Sequence, residues 1–188
     1  MRTRMTRAAA LGAVALLALG ACASNGGGDG AADVDAGDFP EGSTMARLAD
    51  AGSIKIGTKF DQPLFGLVGP NGVPEGFDVE IGKLVAGELG IDEGDIEWIE
   101  TVSSVREDSI ANGTVDIIVA TYTINDTRKE KVSFAGPYYL AGQSLLTLKT
   151  NTDIQGVDDI GGMKICTASG STPEQNLLEN YPDAEVVP

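Results

Sequence analysis

The stretch "VDIIVATYTINDTR", residues 115–128, decides the fold class. Its first part, residues 115–120, is almost continuously apolar, as expected for a strand in a sheet that is covered on both faces. Hydroxyl side chains follow at Thr121 and Thr123, and Arg128 comes five residues after the second of them. The pattern predicts a buried strand of a parallel sheet that ends in a polar loop.

From residue 43 onward, helical and strand patterns alternate. In "FDVEIGKLVAGELG" the residues Val79, Leu84, Val85 and Leu89 fall near a period of 3.6 and predict the buried face of a helix that Gly90 ends. Alternation of this kind predicts an α/β fold with a mostly parallel sheet. The predicted helices are 43–52 (N-cap Ser43 or Thr44, end at Gly52), 77–90, 105–113 (N-cap Ser103 or Ser104, end at Gly113) and 172–181. The predicted strands are 53–59, 96–100, 115–121, 143–149, 163–168 and 184–187.

The beginning of the chain has the pattern of an export signal. Three arginines in residues 1–7 precede an apolar run, residues 8–21, which is too short to span a bilayer but typical of a signal-peptide core. The run ends in "LGAC", which resembles the lipobox of bacterial lipoproteins, where the signal is cut before a cysteine that takes up lipid. Residues 1–21 are therefore predicted to be a signal peptide and Cys22 the lipidated residue. The alternative is an ordinary secretory signal that contains a cysteine.

The segment after Cys22 is predicted to be a tether. Residues 23–42 contain almost no large apolar side chain, so they cannot bury enough surface to order themselves. A flexible chain of this length spans roughly 25 Å. We expect residues 22–42 to hold a folded domain just above a membrane face.

The charge of the chain excludes several classes of function. Asp and Glu number 28 against 13 Lys and Arg, a net charge of −15, and removal of the signal's three arginines leaves −18. A protein so acidic lacks the clustered cations that nucleic acids require. The chain has no histidine, the usual metal and acid–base side chain. The acidic run "IDEGDIEWIE" does not have the spacing of an EF-hand loop, and no metal or cofactor is predicted.

Polar side chains follow three predicted strands, where α/β sheets bind their ligands. Lys59 follows the first strand, Thr121 and Thr123 follow the strand at 115–120, and "GSTPEQ" follows the strand that holds Cys166. Asn125 or Asp126 can cap one helical turn, which would bring Arg128 back toward the strand end. The guanidinium of an arginine binds a carboxylate with two parallel hydrogen bonds. The alternative is an arginine in a polar surface loop.

The segment "GSTPEQ" predicts the capped beginning of a helix. Ser171 or Thr172 can be the N-cap, Pro173 fits the first turn, and Glu174 or Gln175 can complete a capping box. The backbone N–H groups at such a helix start can bind an anion. The alternative is a cap with no further role.

A family resemblance connects these features. "GFDVEIGKLVAGEL", residues 76–89, resembles the signature of the family 3 solute-binding proteins, and "ATYTINDTR", "SFAGPYY" and "GSTPEQ" resemble later landmarks of that family in the same order. The resemblance covers residues 53–188 and is closest to the glutamate-binding lipoproteins of Gram-positive ABC importers. It implies the type II periplasmic-binding-protein fold, a Venus flytrap of two α/β lobes that close on an amino acid. It assigns residues 43–145 to lobe one and residues 146–188 to the crossover and the beginning of lobe two.

The resemblance also implies roles for single residues in binding the ligand's backbone groups. Thr121 and Thr123 match residues that hold the α-amino and α-carboxylate groups of the ligand. Arg128 matches the α-carboxylate clamp. Thr172, together with Ser171, matches the contact from the second lobe.

Other residues are matched to the ligand's side chain. Arg106 matches an arginine that binds the side-chain carboxylate in relatives specific for glutamate or aspartate, and Lys59 resembles a lysine near the ligand in some of them. Phe60 and Phe65 match positions where an aromatic ring packs on the ligand, but both could equally be core residues. Close relatives pair their equivalent of Cys166 with a cysteine further along, which is missing here.

The expected function follows from this resemblance. The chain is predicted to be a monomeric, lipid-anchored, extracytoplasmic component of an ABC importer that delivers glutamate or aspartate to permease subunits at the cell membrane. It is read as the N-terminal part of a longer protein, because the family's ammonium-binding Asp lies on a later strand. Two alternatives stay open, an enzyme of the same fold such as a cyclohexadienyl dehydratase and a ligand-sensing receptor domain.

Overall fold

The computed structural model describes residues 34–188. The predicted signal peptide, Cys22 and residues 23–33 of the predicted tether lie outside the described residues. The helices are Thr44–Ala51 (α1), Phe77–Glu88 (α2), Arg106–Ala111 (α3), Asp126–Lys129 (α4) and Thr172–Asn180 (α5). The strands are Ile54–Thr58 (β1), Asp61–Gln62 (β2), Gly66–Val68 (β3), Pro74–Glu75 (β4), Ile96–Glu100 (β5), Ile117–Ile118 (β6), Lys164–Cys166 (β7) and Glu185–Val187 (β8). Short 3-10 turns are Ala36–Asp38, Glu93–Asp95, Ser103–Val105 and Val157–Asp159.

A parallel sheet with the strand order β5-β1-β6 forms the centre of the fold. β1 lies between its two neighbours, and Ile56 of β1 is in register with Trp98 on one side and Ile117 on the other. The predicted mostly parallel α/β sheet is therefore confirmed. Because all three strands run the same way, their carboxyl ends meet at one edge. A small antiparallel sheet, β2-β3-β4, follows β1, and β7 pairs with β8 in parallel.

The core lies between α1, α2 and one face of the central sheet. It is a cluster of aliphatic side chains against which Phe39, Trp98 and Ile117 pack. The buried members of the cluster are Leu48, Ile54, Ile56, Ala86, Leu89, Ile91, Ile96 and Val119.

The buried face of α2 differs from the predicted one. Leu84 is 66% exposed and Val85 38% exposed, whereas Val79, Gly82 and Ala86 are buried with Leu89. A Cβ built on Gly82 would lie 2.8 Å from the Trp98 ring. Small residues on this face let the helix approach the sheet closely, and that packing requirement outweighs the hydrophobicity of single residues.

Most predicted helix ends are confirmed. Ser43 caps α1 and Gly52 ends it in the left-handed conformation, and Asn125 caps α4. Ser103 and Ser104 were also expected to cap a helix. Instead they lie inside a 3-10 turn that leads into α3, and neither side chain caps it.

Two strand predictions need correction. The strand expected at 115–121 is reduced to Ile117–Ile118. The strand expected at 143–149 is absent, since residues 140–148 are irregular and Leu146 is fully exposed. An extended segment becomes a strand only when a neighbouring strand accepts its backbone hydrogen bonds, and no strand in the described part of the chain pairs with these residues.

The end of the predicted tether is packed against the domain. Asp35 caps the turn Ala36–Asp38, and Phe39 packs against the core cluster. The packed chain thus begins before residue 43, whose place as a domain boundary stays a prediction. Between residues 34 and 188, no helix is long and apolar enough to cross a membrane.

The close approach of α2 to the sheet predicts the effect of adding one methyl group. Gly82→Ala should lower the free energy of unfolding by roughly 1–3 kcal/mol, because the new Cβ would overlap the Trp98 ring. Gly87→Ala on the same helix is the matched control. Its Cβ meets nothing within 4 Å, so it should stabilise the protein by roughly 0.5–1 kcal/mol. Equal effects in urea unfolding would contradict this packing account.

Candidate ligand-binding site

The carboxyl edge of the central sheet collects the residues of the candidate site. Lys59 follows β1, Thr101 follows β5, and Thr121 lies three residues after β6. The backbone N–H of Thr101 donates to the carbonyl of Thr58 at 2.8 Å, so the ends of β1 and β5 stay together beyond the last strand residues. This edge is where an α/β sheet places ligands.

Arg128 is brought back to the strand end by the single turn of α4. The Asn125 side chain accepts a hydrogen bond from the backbone N–H of Arg128 at 2.9 Å and so fixes the turn. The guanidinium is buried and donates from Nη1 to the carbonyl of Thr123 at 2.9 Å. Its Nε lies 3.4 Å from Oε1 of Glu107. The structure thus brings Arg128 and Thr123 into direct contact.

The same guanidinium also reaches the beginning of α5. Nη1 of Arg128 donates to the Thr172 hydroxyl, and Nη2 donates to the carbonyl of Gly170, both at 3.2 Å. A Cβ on Gly170 would lie 2.7 Å from the Cα of Ser104, and its φ of +73° also favours glycine. The turn before α5 therefore lies directly against Ser104 and Arg128.

Ser171 is the N-cap of α5. Its hydroxyl accepts a hydrogen bond from the backbone N–H of Glu174 at 3.1 Å, and the Glu174 carboxylate accepts one from the N–H of Gly170 at 2.6 Å. The carboxylate thus reaches one residue further back than in a standard capping box. With its hydroxyl used in this way, Ser171 shapes the turn that presents Thr172 to Arg128.

Arg106 is the second buried cation. It is 3% exposed, its Nε donates to the carbonyl of Thr101 at 3.3 Å, and its guanidinium lies 5.1 Å from the centre of the Tyr122 ring. Burial and the positive charge of Arg128 lower the pKa of Arg106 to about 10. At neutral pH the group is still charged.

The terminal amino groups of Arg106 have no acceptor among residues 34–188. Within these residues the Arg106 guanidinium makes one hydrogen bond, from Nε to the Thr101 carbonyl. No carboxylate of the described residues lies within 4.0 Å of it. The protein does not fully enclose either terminal nitrogen. These donors are therefore within reach of solvent or of a ligand.

Tyr122 lies between the two arginines in sequence and shares its ring with both. The guanidinium of Arg128 is 4.7 Å from the ring centre, close to the 5.1 Å of Arg106, and each contact is a cation–π interaction. Burial and then the neighbouring Glu107 carboxylate raise the pKa of Tyr122 above its usual value, so the phenol is neutral. The neutral ring gives both cations a favourable contact.

Glu107 places a carboxylate beside Arg128. Burial by itself raises the pKa of Glu107, but the nearby Tyr122 hydroxyl, which is enclosed and has no well-aligned hydrogen bond, the backbone and the cations of Arg128 and Lys131 outweigh it. Together they hold the pKa below its ordinary value of 4.5. A cavity of about 180 Å³ lies beside this group, lined by Ser103, Ser104, Glu107, Thr127, Arg128, Lys131, Gly170 and Gln175.

Thr121 adopts an unusual backbone conformation. Its φ is +46°, in the left-handed region that β-branched residues avoid. Its backbone N–H donates to Oδ2 of Asp78 at 2.6 Å. Its hydroxyl has one hydrogen to donate and two acceptors within reach, Oε1 of Gln62 at 2.9 Å and the carbonyl of Ala120 at 2.8 Å.

Lys59 and Phe65 contact side chains other than the two arginines. The buried Lys59 ammonium forms an ion pair with Asp61 at 2.9 Å. Phe65 packs edge-on against Phe77 and Tyr139, and Phe60 is half-buried. Their expected contacts with a ligand stay predictions.

Cys166 lies in β7 with an exposed side chain and forms no disulfide within residues 34–188. Its expected pairing with a later cysteine stays a prediction. The described part of the chain also contains no cluster of carboxylate or thiolate groups arranged to hold a metal ion.

Sequence reasoning missed several residues of the site. Asp78 stood out in "GFDVE" only as part of a signature, and Tyr122, Glu107 and Gln62 were not singled out. Alternation of small and aromatic residues in "ATYTIN" places Tyr122 between two polar residues, which could have indicated an inward-pointing ring. The contacts of Asp78 and Gln62 with Thr121 span 43 and 59 residues, and no local pattern reveals them.

Known proteins resemble this chain over most of its length. The sequence model of the bacterial extracellular solute-binding proteins, family 3, matches residues 54–183. The chain is 38% identical to the glutamate-binding protein GluB of Corynebacterium glutamicum over 98% of this chain and 60% of that protein. It is also 38% identical to the ABC transporter glutamine-binding protein GlnH of Bacillus subtilis, over 92% of this chain and 62% of that protein. The chain thus spans about three fifths of the length of these relatives.

A solved structure supports the fold. The ancestral amino acid-binding protein AncCDT-1, a precursor of cyclohexadienyl dehydratase, superposes with a TM-score of 0.72 at 32% identity. The match covers 77% of this chain and 64% of that one. It confirms the predicted fold class, of which the chain contains one lobe and part of a second.

The lowered pKa of Glu107 predicts a pH dependence of stability. Because the folded state favours the ionised carboxylate, its contribution is present above pH 4.5 and is lost as the pH falls through the lower folded-state pKa. Glu107→Gln should therefore flatten the fall in thermal stability below pH 4.5. Glu97→Gln, at an exposed position of β5, is the control and should keep the wild-type slope. Identical acid profiles for wild type and Glu107→Gln would contradict the assignment.

Proposed function

The chain belongs to the bacterial extracellular solute-binding proteins of family 3, and on that premise we propose that it is the substrate-binding component of an ABC importer. Its proposed ligand is an amino acid with an acidic side chain, glutamate or aspartate. The proposed location is the extracytoplasmic face of the cell membrane, where the protein delivers its ligand to permease subunits.

Arg106 carries the proposal for an acidic side chain. A buried guanidinium that keeps its charge and has no carboxylate within 4.0 Å among the described residues is costly. A ligand carboxylate would accept hydrogen bonds from its terminal amino groups and neutralise its charge. A carboxamide would offer one oxygen and no charge, so the binding energy should differ between glutamate and glutamine.

Arg128 suits the α-carboxylate of the same ligand. In the structure its amino groups donate to neutral acceptors, the carbonyl of Gly170 and the hydroxyl of Thr172, at 3.2 Å. An anionic carboxylate is a stronger acceptor than either. We therefore expect the ligand to replace one or both of these contacts, with Thr172 and Ser171 remaining close to it at the start of α5.

Thr121 and Thr123 supply the remaining polar groups. The N–H of Thr121 is bound by Asp78 and its hydroxyl by Gln62 and Ala120, which leaves its carbonyl for the ammonium of the ligand. The carbonyl of Thr123 is occupied by Arg128, so its exposed hydroxyl and N–H are the groups proposed to bind the ligand.

Glutamine is the second candidate ligand, because the relatives named for glutamate and for glutamine are equally similar, each 38% identical. The names of relatives do not decide between the two ligands. The charge state of Arg106 favours glutamate. A same-fold enzyme is less well supported, because Asp78 and Glu107, the carboxylates next to the site, are engaged by protein groups.

Removal of the Arg106 guanidinium tests the proposed ligand. In the full chain, Arg106→Ala should weaken glutamate binding by roughly 2–5 kcal/mol, the cost of leaving its carboxylate unpaired. Glutamine binding should change by about 1 kcal/mol or less, as for a neutral hydrogen bond. Isothermal titration calorimetry with both amino acids measures the difference.

Arg47→Ala is the matched control for the loss of one positive charge. Arg47 is exposed and pairs with Asp116 at 2.7 Å on the surface, so both affinities should stay unchanged. A wild-type preference for glutamine, or equal losses for both ligands in Arg106→Ala, would refute an acidic ligand. Binding of neither amino acid would refute the wider proposal.

Lipid anchoring through Cys22 is a separate proposal. It rests on the apolar run before Cys22 and the "LGAC" sequence. Cys22→Ser should abolish incorporation of labelled fatty acid and shift the protein from the membrane fraction to the medium. Cys166→Ser is the control and should remain in the membrane fraction. Retention of the label in Cys22→Ser would show that the anchor lies elsewhere.

A further inference from the structure

One buried carboxylate holds the unusual backbone of Thr121. Asp78 lies in the first turn of α2 and is 0% exposed. Its Oδ2 accepts the backbone N–H of Thr121 at 2.6 Å, and its Oδ1 accepts the hydroxyl of Tyr138 at 2.9 Å. Both oxygens of the carboxylate are thus used by groups that are distant in sequence.

The contact matters because Thr121 would not adopt this conformation by itself. A φ of +46° is disfavoured for a β-branched residue, and such conformations persist only where the surroundings enforce them. Asp78 supplies a short, charge-assisted hydrogen bond to the one backbone donor of that residue. Without it, Thr121 should relax toward negative φ.

Relaxation at Thr121 would displace the groups next to it. The carbonyl of Thr121 belongs to the peptide bond that joins it to Tyr122. The Tyr122 ring lies against Arg106 and Arg128. A rotation at Thr121 therefore changes the direction of the carbonyl and the position of the ring together. Both guanidinium groups would lose their aromatic contact or move with it.

We infer that Asp78 is a positioning residue for ligand binding, which acts by fixing the Thr121 backbone and does not itself contact the ligand. The inference rests on the proposed function insofar as it concerns ligand affinity. Its structural part, the dependence of Thr121 on Asp78, stands on the hydrogen bonds alone.

A neutral replacement for Asp78 can distinguish an effect on the Thr121 backbone from an effect on the stability of the whole fold. Burial raises the pKa of Asp78, although the hydrogen bonds from Tyr138 and Thr121 and the charge of Arg106 lower it. Since the net effect disfavours the ionised form, a neutral side chain of the same shape should cost the fold little. Asn has that shape, but its single carbonyl oxygen is a weaker acceptor for the Thr121 N–H.

Amide hydrogen exchange in the full chain, followed by NMR, tests the structural part. Asp78→Ala should speed exchange of the Thr121 amide on the order of tenfold, the effect of losing one hydrogen bond. Asp78→Asn should speed it about threefold with an unfolding temperature close to wild type, and so keeps the test valid if Asp78→Ala does not fold. Asp116→Ala is the matched control. It removes a carboxylate that accepts the backbone N–H of Lys55 at 3.0 Å, a contact that does not involve Thr121, and it should leave the Thr121 amide within about twofold of wild type.

Calorimetry with L-glutamate and L-glutamine tests the effect on binding. The affinity for whichever amino acid the wild type binds should fall in parallel with the exchange effect, about tenfold in Asp78→Ala and about threefold in Asp78→Asn. Thr121→Gly removes the penalty on positive φ, so Asp78→Ala should cost less affinity in that background than in wild type. A residue that only stabilises the fold would not show this coupling.

The outcomes separate the two proposals. If the Thr121 amide exchanges at the wild-type rate in both Asp78 variants, or as fast in Asp116→Ala as in Asp78→Ala, the inference is wrong. It is also wrong if exchange rises while affinity for a bound amino acid stays unchanged. If the wild type binds neither amino acid, the proposed function fails, and the exchange data alone decide the role of Asp78.

Discussion

Two buried guanidinium groups share one aromatic ring, and the arrangement of the candidate site follows from that constraint. Arg106 and Arg128 both lie about 5 Å from the centre of the Tyr122 ring, and the positive charge of Arg128 lowers the pKa of Arg106. Glu107 offsets part of this repulsion beside Arg128. Arg106 has no carboxylate within 4.0 Å among the described residues, and in an acidic protein such a site can attract an anion only if its own cations dominate locally.

The parallel sheet makes this arrangement possible. β1, β5 and β6 end at the same edge of the sheet, so segments far apart in sequence contribute side chains to one place. The close approach of α2 through Gly82 keeps the sheet covered. It also places Asp78, in the first turn of α2, at the edge where Thr121 begins the loop. Packing and site geometry thus depend on the same helix.

Several elements were predictable because their signals are local. The caps at Ser43, Asn125 and Ser171 are set by side chains that bond within three residues, and the alternation of apolar segments predicted the α/β fold. The strand expected at 143–149 is absent because strand formation also depends on a partner that lies elsewhere in the chain. Its pattern is local, but a strand needs a partner to bond with, and residues 34–188 provide none there.

The sequence by itself determined the fold class, the starts of α1, α4 and α5 and the return of Arg128 to the strand end, because each depends on periodicity or on hydrogen bonds between near neighbours. Only the tertiary structure decided which face of α2 is buried, that Tyr122 lies against both arginines, and that Asp78 holds Thr121 at a positive φ. These features depend on contacts across tens of residues and on the volume left between packed elements. Such quantities exist only once the chain has folded.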